Sequence, residues 1–182
     1  ANTVLDPNVR IGRGTHLHPL VFIGHSCEIG DGCEIKSNST IGGDGFGFAP
    51  DERGSFHRLT HYGRVIIENN VHIGSGVQID RGTYDDSVIG EGTQIDNQCH
   101  FGHNVRIGKN TIIVGGALVA GSVSIGSRCI IGGRATIAGH LSICDNVNLM
   151  GISGVTKSIE KPGVYGGLPL QPMNDVLKTR VA

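Results

Sequence analysis

A single apolar position recurs every six residues along most of the chain. The recurring residues are Ile11, Leu17, Ile23, Ile29, Ile35, Ile41, Ile67, Ile73, Ile79, Ile89, Ile95, Phe101, Ile107, Ile113, Val119, Ile125, Ile131, Ile137, Ile143, Leu149 and Val155. An amphipathic helix would repeat at three and four residues and a half-buried strand at two, so this period indicates one short strand and one turn per repeat. Three repeats form a triangular coil whose strands pair with those of the next coil. The pattern predicts an all-β fold, a left-handed parallel β-helix of hexapeptide repeats.

A second position, two residues before each recurring apolar one, holds a small or modest side chain. Four of the five cysteines occupy it, namely Cys27, Cys33, Cys99 and Cys129. Side chains of this size fit the narrow corners of a triangular coil, so we interpret these cysteines as packing residues. Five is an odd number and the spacings are unpaired, which favours reduced thiols over a disulfide framework.

The repeat is interrupted twice. Residues 43–64 form a long excursion, GDGFGFAPDERGSFHRLTHYGR, and a second insertion lengthens the gap between Ile79 and Ile89 by four residues. Insertions in a solenoid project as surface loops, often on a binding face. The period ends near residue 156. We therefore predict a β-helix domain over 1–156 and a C-terminal extension over 157–182, with a short helix at 172–181.

Composition says little about partners. Glycine accounts for 30 of the 182 residues and aromatic residues for 4%, which suits many tight turns around an aliphatic core. The net charge of -1 gives no reason to expect nucleic acid as a partner. No apolar run approaches the roughly 18 residues of a membrane span, and the first residues lack a signal-peptide pattern. The expectation is a soluble, cytoplasmic protein without an integral membrane segment.

Counting in coils of 18 residues places two histidines on one edge of the predicted prism. His103 and His140 are separated by two coils plus one residue, which corresponds to roughly 10 Å of strand spacing. Gly121 follows His103 by one coil, so its backbone N–H lies beside the imidazole without an intervening side chain. A histidine base beside a bare amide donor is the minimum for acyl transfer, because it deprotonates the nucleophile and stabilises the oxyanion. Asp96, seven residues before His103, is a carboxylate able to orient the ring.

Two other interpretations of these histidines stay open. In the first, His103 is a solvated turn residue on a non-catalytic scaffold. In the second, His100 and His103 belong to a zinc site shared between chains, which would need a third ligand and partners that orient the histidines. Because the sequence does not match the ligand spacing of hexapeptide carbonic anhydrases, we expect no metal and no bound cofactor.

Several segments go beyond what the hexapeptide period requires. They cover most of residues 23–175 and read IGGDGFGFAPDERGSFHRLTHYGRVII, IDRGTYDDSVIG, IDNQCHFGHNVRIG, IAGHLSICDNV and PGVYGGLPLQP. With these segments the chain resembles the UDP-3-O-(3-hydroxyacyl)glucosamine N-acyltransferases of lipid A (lipopolysaccharide) biosynthesis. The resemblance implies a homotrimer with active sites between neighbouring subunits. It also implies transfer of a 3-hydroxyacyl chain from the phosphopantetheine of acyl carrier protein to the 2-amine of a UDP-linked, O-acylated glucosamine.

The resemblance also assigns roles to single residues. The histidine of the family's HN motif is His103, the general base, and that of its GH motif is His140, near the donor phosphopantetheine or the oxyanion. The oxyanion amide falls on Gly121 and the carboxylate partner on Asp96. The implied substrate-binding residues are Phe46, Phe48, Asn97, Gln98 and Asn104.

The chain departs from the family pattern at its start. Family members carry an N-terminal domain that grips the uridine, whereas this chain begins almost directly in the repeat. His100 and Phe101 also differ from the family, where a less bulky or less basic residue is expected. The chain is therefore either a fragment or a shortened homologue with another acceptor or donor. The alternative function is a hexapeptide N-acyltransferase that uses acyl-CoA on another nucleotide amino sugar.

Overall fold

A three-sided solenoid of short strands makes up the protein in the computed structural model, which describes residues 1–167 and 171–173. The first face contains Val4–Leu5, Phe22–Ile23, Thr40–Gly43, Gln78–Asp80, His100–Phe101, Leu118–Val119, Thr136–Ile137 and Gly154–Val155. The second contains Arg10–Ile11, Glu28–Ile29, Val65–Ile67, Ser87–Ile89, Arg106–Ile107, Ser124–Ile125 and Ser142–Ile143. The third contains His16–Leu17, Glu34–Ile35, His72–Ile73, Gln94–Ile95, Ile112–Ile113, Ile130–Ile131, Val147–Leu149, Gly163–Gly166 and Gln171–Pro172. The predicted left-handed parallel β-helix of hexapeptide repeats is confirmed.

The recurring apolar residues stack in a continuous column along each inner face. Phe101, which is fully buried, pairs in register with Ile79 in the coil before it and with Val119 in the coil after it. In the first coils of the chain the same slots are more exposed, as at Leu5 and Ile11. Each inward side chain is therefore buried by its counterparts in adjacent coils, which is why the slot is apolar throughout.

The four cysteines of the second slot are buried free thiols, as the sequence predicts. They are Cys27, Cys33, Cys99 and Cys129. Burial raises the pKa of each of these thiols, because the thiolate form would lose its hydration. Their role in this fold is packing.

Most turns between faces contain a residue in the left-handed conformation. On the edge after the first face this residue is Asn104, Ser122 and His140 in three successive coils, with φ values of 60°, 60° and 61°. Asparagine tolerates this region better than most residues, because its short side chain bonds locally. The turns therefore stack directly above one another, and a residue at one turn position contacts its neighbours one coil away.

The excursion folds into a hairpin that is fixed at its root by a buried arginine. Its strands Phe48–Pro50 and Phe56–Arg58 pair antiparallel. Arg81 is 2% exposed and donates from Nε to the carbonyl of Gly42 at 2.9 Å and from a terminal nitrogen to the carbonyl of His25 at 3.1 Å. A buried guanidinium needs such acceptors, so this contact ties the excursion to the solenoid.

The solenoid continues beyond the boundary predicted at residue 156. Ile159 forms a parallel bridge to Ile143, and Gly163–Gly166 adds a parallel strand beside Val147–Leu149. The connecting segment is two residues shorter than a regular coil, so the period of six does not reveal it. The helix predicted at 172–181 falls almost entirely outside the described residues. In the part that the structure describes, no helix has the length and apolarity needed to cross a bilayer.

Candidate active site

His103 lies in the turn after the strand His100–Phe101 and is half-buried. Its Nδ1 atom lies 3.0 Å from Oδ1 of Asn104. Because an amide oxygen only accepts hydrogen bonds, we infer that Nδ1 carries the proton and that Nε2 keeps a free lone pair. In this tautomer Nε2 is a hydrogen-bond acceptor that is able to take up a proton.

Gly121 lies one coil beyond His103, directly against the imidazole. A Cβ atom on Gly121 would stand 2.6 Å from Nε2 and 2.8 Å from Cε1 of His103, closer than real Cβ atoms approach. The Gly121 N–H donates to no backbone carbonyl within the described residues. A free donor therefore adjoins the basic nitrogen, as the count in coils predicts.

Asn104 connects His103 to the four-residue insertion. Its Oδ1 also accepts the Thr83 N–H at 3.0 Å, and its Nδ2 donates to the carbonyl of Asp85 at 3.1 Å. Both ends of the amide are thus held by protein atoms. The structure gives Asn104 a positioning function for His103, whereas its predicted contact with substrate stays a prediction.

His61, from the excursion, covers the opposite side of His103. The two ring centroids are 5.6 Å apart at an interplanar angle of 62°, an edge-to-face contact. His61 Nδ1 donates to the carbonyl of Leu59, and Nε2 is buried without a hydrogen-bond partner among the described residues. A Cβ on Gly45 would stand 2.9 Å from both His61 and His103, so the excursion passes between them only as glycine. The repeat period does not predict this contact, because His61 belongs to the excursion.

A pocket of about 360 Å³ opens in front of His103 on the first face. Its walls include Asp80, His100, Gly121 and, from the excursion, Phe46. Phe48 packs edge-on against Phe46 with ring centroids 4.9 Å apart, outside this pocket. The volume falls in the range of small-molecule sites, and the apolar wall with a few polar groups is typical of them.

Asp80 is the carboxylate of this pocket, and the sequence reasoning missed it. Its side chain is 17% exposed, and burial raises its pKa while the nearby His100, His103 and His61 act in the opposite direction. Asp80 precedes His103 by 23 residues, which is one coil, the four inserted residues and one more. Correcting the count for the insertion would have placed it beside the site.

Asp96 occupies a different corner of the solenoid. Its Oδ1 accepts the Asn97 N–H at 2.7 Å and its Oδ2 accepts the Gly115 N–H at 3.0 Å. It lines a separate pocket on the third face. The prediction that Asp96 orients the His103 ring of the same chain is wrong. The two residues are seven positions apart, which is more than one repeat, so a whole face of the solenoid separates them.

The remaining predicted residues divide between these two corners. Asn97 and Gln98 are exposed beside Asp96, and Asn97 Oδ1 accepts the Ser75 N–H at 2.8 Å. His140 is exposed on the His103 edge, and its N–H donates to the carbonyl of Gly121 at 3.1 Å. One chain therefore brings together the base, the amide donor and the excursion, while the Asp96 group lies on another face.

The geometry around His100 and His103 bears on the zinc alternative. His100 Nε2 points toward Asp80, 3.9 Å from Oδ2. Within residues 1–167 and 171–173, no group of three or more His, Cys, Asp or Glu side chains is arranged to hold a metal ion.

Similarity to known proteins is consistent with this geometry. The family model "Bacterial transferase hexapeptide (six repeats)" matches residues 1–43 and 86–121. The fold resembles the UDP-N-acetylglucosamine acyltransferase structures from Francisella novicida, with a TM-score of 0.85 and 23% identity, and from Bacteroides fragilis, with 0.76 and 21%. The alignments cover 98% of this chain in both cases, and 65% and 71% of those chains. These structures support the fold alone.

Sequence relatives are more specific. UDP-3-O-acylglucosamine N-acyltransferase from Coxiella burnetii is 50% identical over 149 residues, and that from Rhizobium meliloti is 51% identical over 150. Both alignments cover 82% of this chain but only 44% and 42% of the relatives, so the chain spans less than half their length. The chain belongs to the hexapeptide-repeat family of the UDP-3-O-acylglucosamine N-acyltransferases.

Proposed function

We propose that this chain carries the acyl-transfer site of an N-acyltransferase in lipid A biosynthesis. The donor is a 3-hydroxyacyl chain on the phosphopantetheine thioester of acyl carrier protein. The acceptor is the 2-amine of a UDP-3-O-acylglucosamine. The observation that carries the proposal is that Nε2 of His103, with its free lone pair, lies against Gly121, whose N–H donates to no backbone carbonyl in the described part of the chain.

In the proposed reaction these two groups transfer the proton and bind the oxyanion. The neutral amine attacks the thioester carbonyl, forming the C–N bond, while His103 Nε2 takes a proton from the nitrogen. The Gly121 N–H stabilises the negative oxygen of the tetrahedral intermediate. The intermediate collapses with cleavage of the C–S bond, and the protonated His103 returns its proton to the thiolate of the phosphopantetheine.

A homotrimer would unite the two groups of predicted residues. The outer faces expose apolar side chains, with Leu118 47%, Ile112 45% and Ile130 41% exposed, and closed rings bury such faces against copies of the same chain. The His103 pocket lies on the first face and the Asp96 pocket on the third. We propose that the third face of a neighbouring subunit supplies Asp96, Asn97 and Gln98 to the His103 pocket.

Steady-state acyl transfer tests this function directly. The purified protein should acylate UDP-3-O-acylglucosamine with a 3-hydroxyacyl carrier-protein donor, and His103→Ala should lose about 1,000-fold in kcat, because general-base catalysis contributes typically 100- to 10,000-fold. His16→Ala, an outward histidine on the third face, serves as the control and should behave as the unmodified protein. Normal turnover by His103→Ala would refute the assignment of the base.

Competition between acyl-carrier-protein and acyl-CoA donors distinguishes the proposed function from its main alternative, an N-acyltransferase that uses acyl-CoA. Acyl-CoA carries the same phosphopantetheine thioester without the carrier protein. If acyl-CoA is preferred and UDP-3-O-acylglucosamine is not acylated, the protein acts on another nucleotide amino sugar. Failure to bind any acyl-phosphopantetheine donor would favour a non-catalytic scaffold.

A further inference from the structure

Asp80 places a carboxylate in the His103 pocket, and the proposed reaction gives this carboxylate no role. Its side chain is 17% exposed, and no described residue donates a hydrogen bond to either carboxylate oxygen. The nearest imidazole nitrogen, Nε2 of His100, lies 3.9 Å from Oδ2, beyond hydrogen-bond distance. A carboxylate that is largely desolvated without donors is unfavourable, so this pocket is suited to a ligand that brings an N–H or O–H donor.

Asp80 lies one coil before His103, on the side opposite to Gly121. The strands Gln78–Asp80, His100–Phe101 and Leu118–Val119 are consecutive neighbours on the first face. Adjacent strands are about 4.8 Å apart, so a carboxylate, an imidazole and a free amide N–H follow one another in three successive coils. Asp80 and Gly121 therefore lie on opposite sides of His103, and a reacting nitrogen beside Nε2 is within reach of the carboxylate.

We propose that Asp80 binds the acceptor's amine, accepting one of its two N–H groups while Nε2 of His103 accepts the other. This inference rests on the proposed acyl transfer. The nitrogen lone pair then faces the thioester carbonyl. After attack, one proton passes from nitrogen to His103 and on to the departing thiolate. The second N–H remains bonded to Asp80 and survives as the N–H of the product amide, so Asp80 itself gains and loses no proton.

This arrangement makes Asp80 specificity-determining for nitrogen over oxygen. A hydroxyl has a single hydrogen and cannot satisfy Asp80 and His103 together. With a hydroxyl acceptor, the half-buried carboxylate would stay unpaired, and sites with such unpaired groups reject the deficient ligand. Asp80 therefore contributes to the choice of an amine acceptor, which the base alone does not make.

Burial has the largest effect on the carboxyl of Asp80 and raises its pKa. His100, His103 and His61 face the carboxylate and lower its pKa when charged, whereas burial and the nearby Asp44 raise it. An acceptor nitrogen with partial positive charge acts in the same direction as the imidazoles. Binding of the amine therefore offsets part of the desolvation of the carboxylate.

Paired acceptors test the proposal. The amine acceptor is UDP-3-O-acylglucosamine, and its matched analogue carries a hydroxyl at position 2. Asp80→Ala should lose about 100-fold in kcat/KM for the amine but much less for the hydroxyl, so the preference for nitrogen collapses. Asp80→Asn keeps one acceptor oxygen and should lose less than Asp80→Ala. The control is Asp85→Asn, an exposed carboxylate in the same insertion, which should keep the preference of the unmodified protein. Calorimetric binding of both acceptors to each variant accompanies the kinetics.

The outcomes separate this inference from the proposed function. If the protein acylates the amine and Asp80→Ala keeps both its preference and its kcat/KM within about threefold, the role of Asp80 is overturned while the proposed function stands. If the protein does not transfer acyl groups but binds the amine in an Asp80-dependent manner, the proposed function fails while the amine site stands. If it acylates the hydroxyl analogue better than the amine, both fail.

Discussion

The imidazole of His103 rests on Gly121, with Nε2 only 2.6 Å from the point where a Cβ on that glycine would stand. The glycine is in an ordinary backbone conformation, since its φ is not positive. The turn itself would therefore accept alanine. Glycine is required here because the His103 ring of the adjacent coil occupies the space of a Cβ. A substitution at this position should therefore affect the site without affecting the stability of the fold.

Replacing Gly121 with alanine should remove activity while leaving the fold intact. The new methyl displaces the His103 ring, and a displacement of about 1 Å costs on the order of 100-fold in rate. Unfolding free energy should change by less than about 1 kcal/mol, because the site is half-exposed and the ring can rotate outward. Gly133→Ala is the control, since this glycine occupies the same turn position and its Cβ would meet nothing closer than 3.4 Å. Equal activity of the two variants would contradict the contact.

Replacing Asn104 with glycine should lower kcat without an effect on KM. Glycine keeps the left-handed backbone, with φ of 60°, but removes the acceptor that holds the proton on Nδ1 of His103. The ring is then free to turn and to place its proton on Nε2, and we expect kcat to fall roughly 10-fold or more. Asn110→Gly, at φ of 52° in another turn, controls for the backbone. If Asn104→Gly lowers the melting temperature but leaves kcat unchanged, the role of Asn104 is merely structural.

Mixed trimers should restore activity to two inactive variants. His103→Ala and Asp96→Asn each disable one half of a site that, by our proposal, spans two subunits. Random assembly of equal amounts gives one intact site in about four, so activity should recover to about a quarter of normal. If the mixture stays as inactive as its parts, Asp96 does not reach the His103 pocket of a neighbour.

Asp80→Asn should stabilise the protein at neutral pH. Burial raises the pKa of Asp80 in the folded state, so the folded chain holds this proton more tightly than the unfolded chain. Stability of the unmodified protein therefore falls as pH rises from the ordinary aspartate pKa, about 3.9, through the raised value. Asparagine does not titrate and escapes this loss. Denaturant unfolding at several pH values should show a gain for Asp80→Asn at neutral pH that disappears in acid, and a loss at neutral pH would show that the carboxylate supports the fold.

Much of the site's framework follows from the sequence period. Each repeat has one inward slot that only an apolar side chain can fill without an unpaired polar group, so the period of six predicts strand, turn and coil. Because coils stack in register, residues separated by 18 positions must be neighbours. That count alone places Gly121 beside His103, and the contact between them confirms it.

A count that includes the four inserted residues places Asp80 beside His103 and Asp96 one corner away, as the structure shows. The contact made by the long excursion was decided only by the tertiary structure. His61 reaches the ring because the excursion folds back and packs through Gly45. The period of the repeat determines which residues of the preceding and following coils are neighbours of a given residue, because coil stacking depends on local geometry. The contacts between an insertion and the solenoid depend on long-range packing, and the period of the repeat carries no information about them.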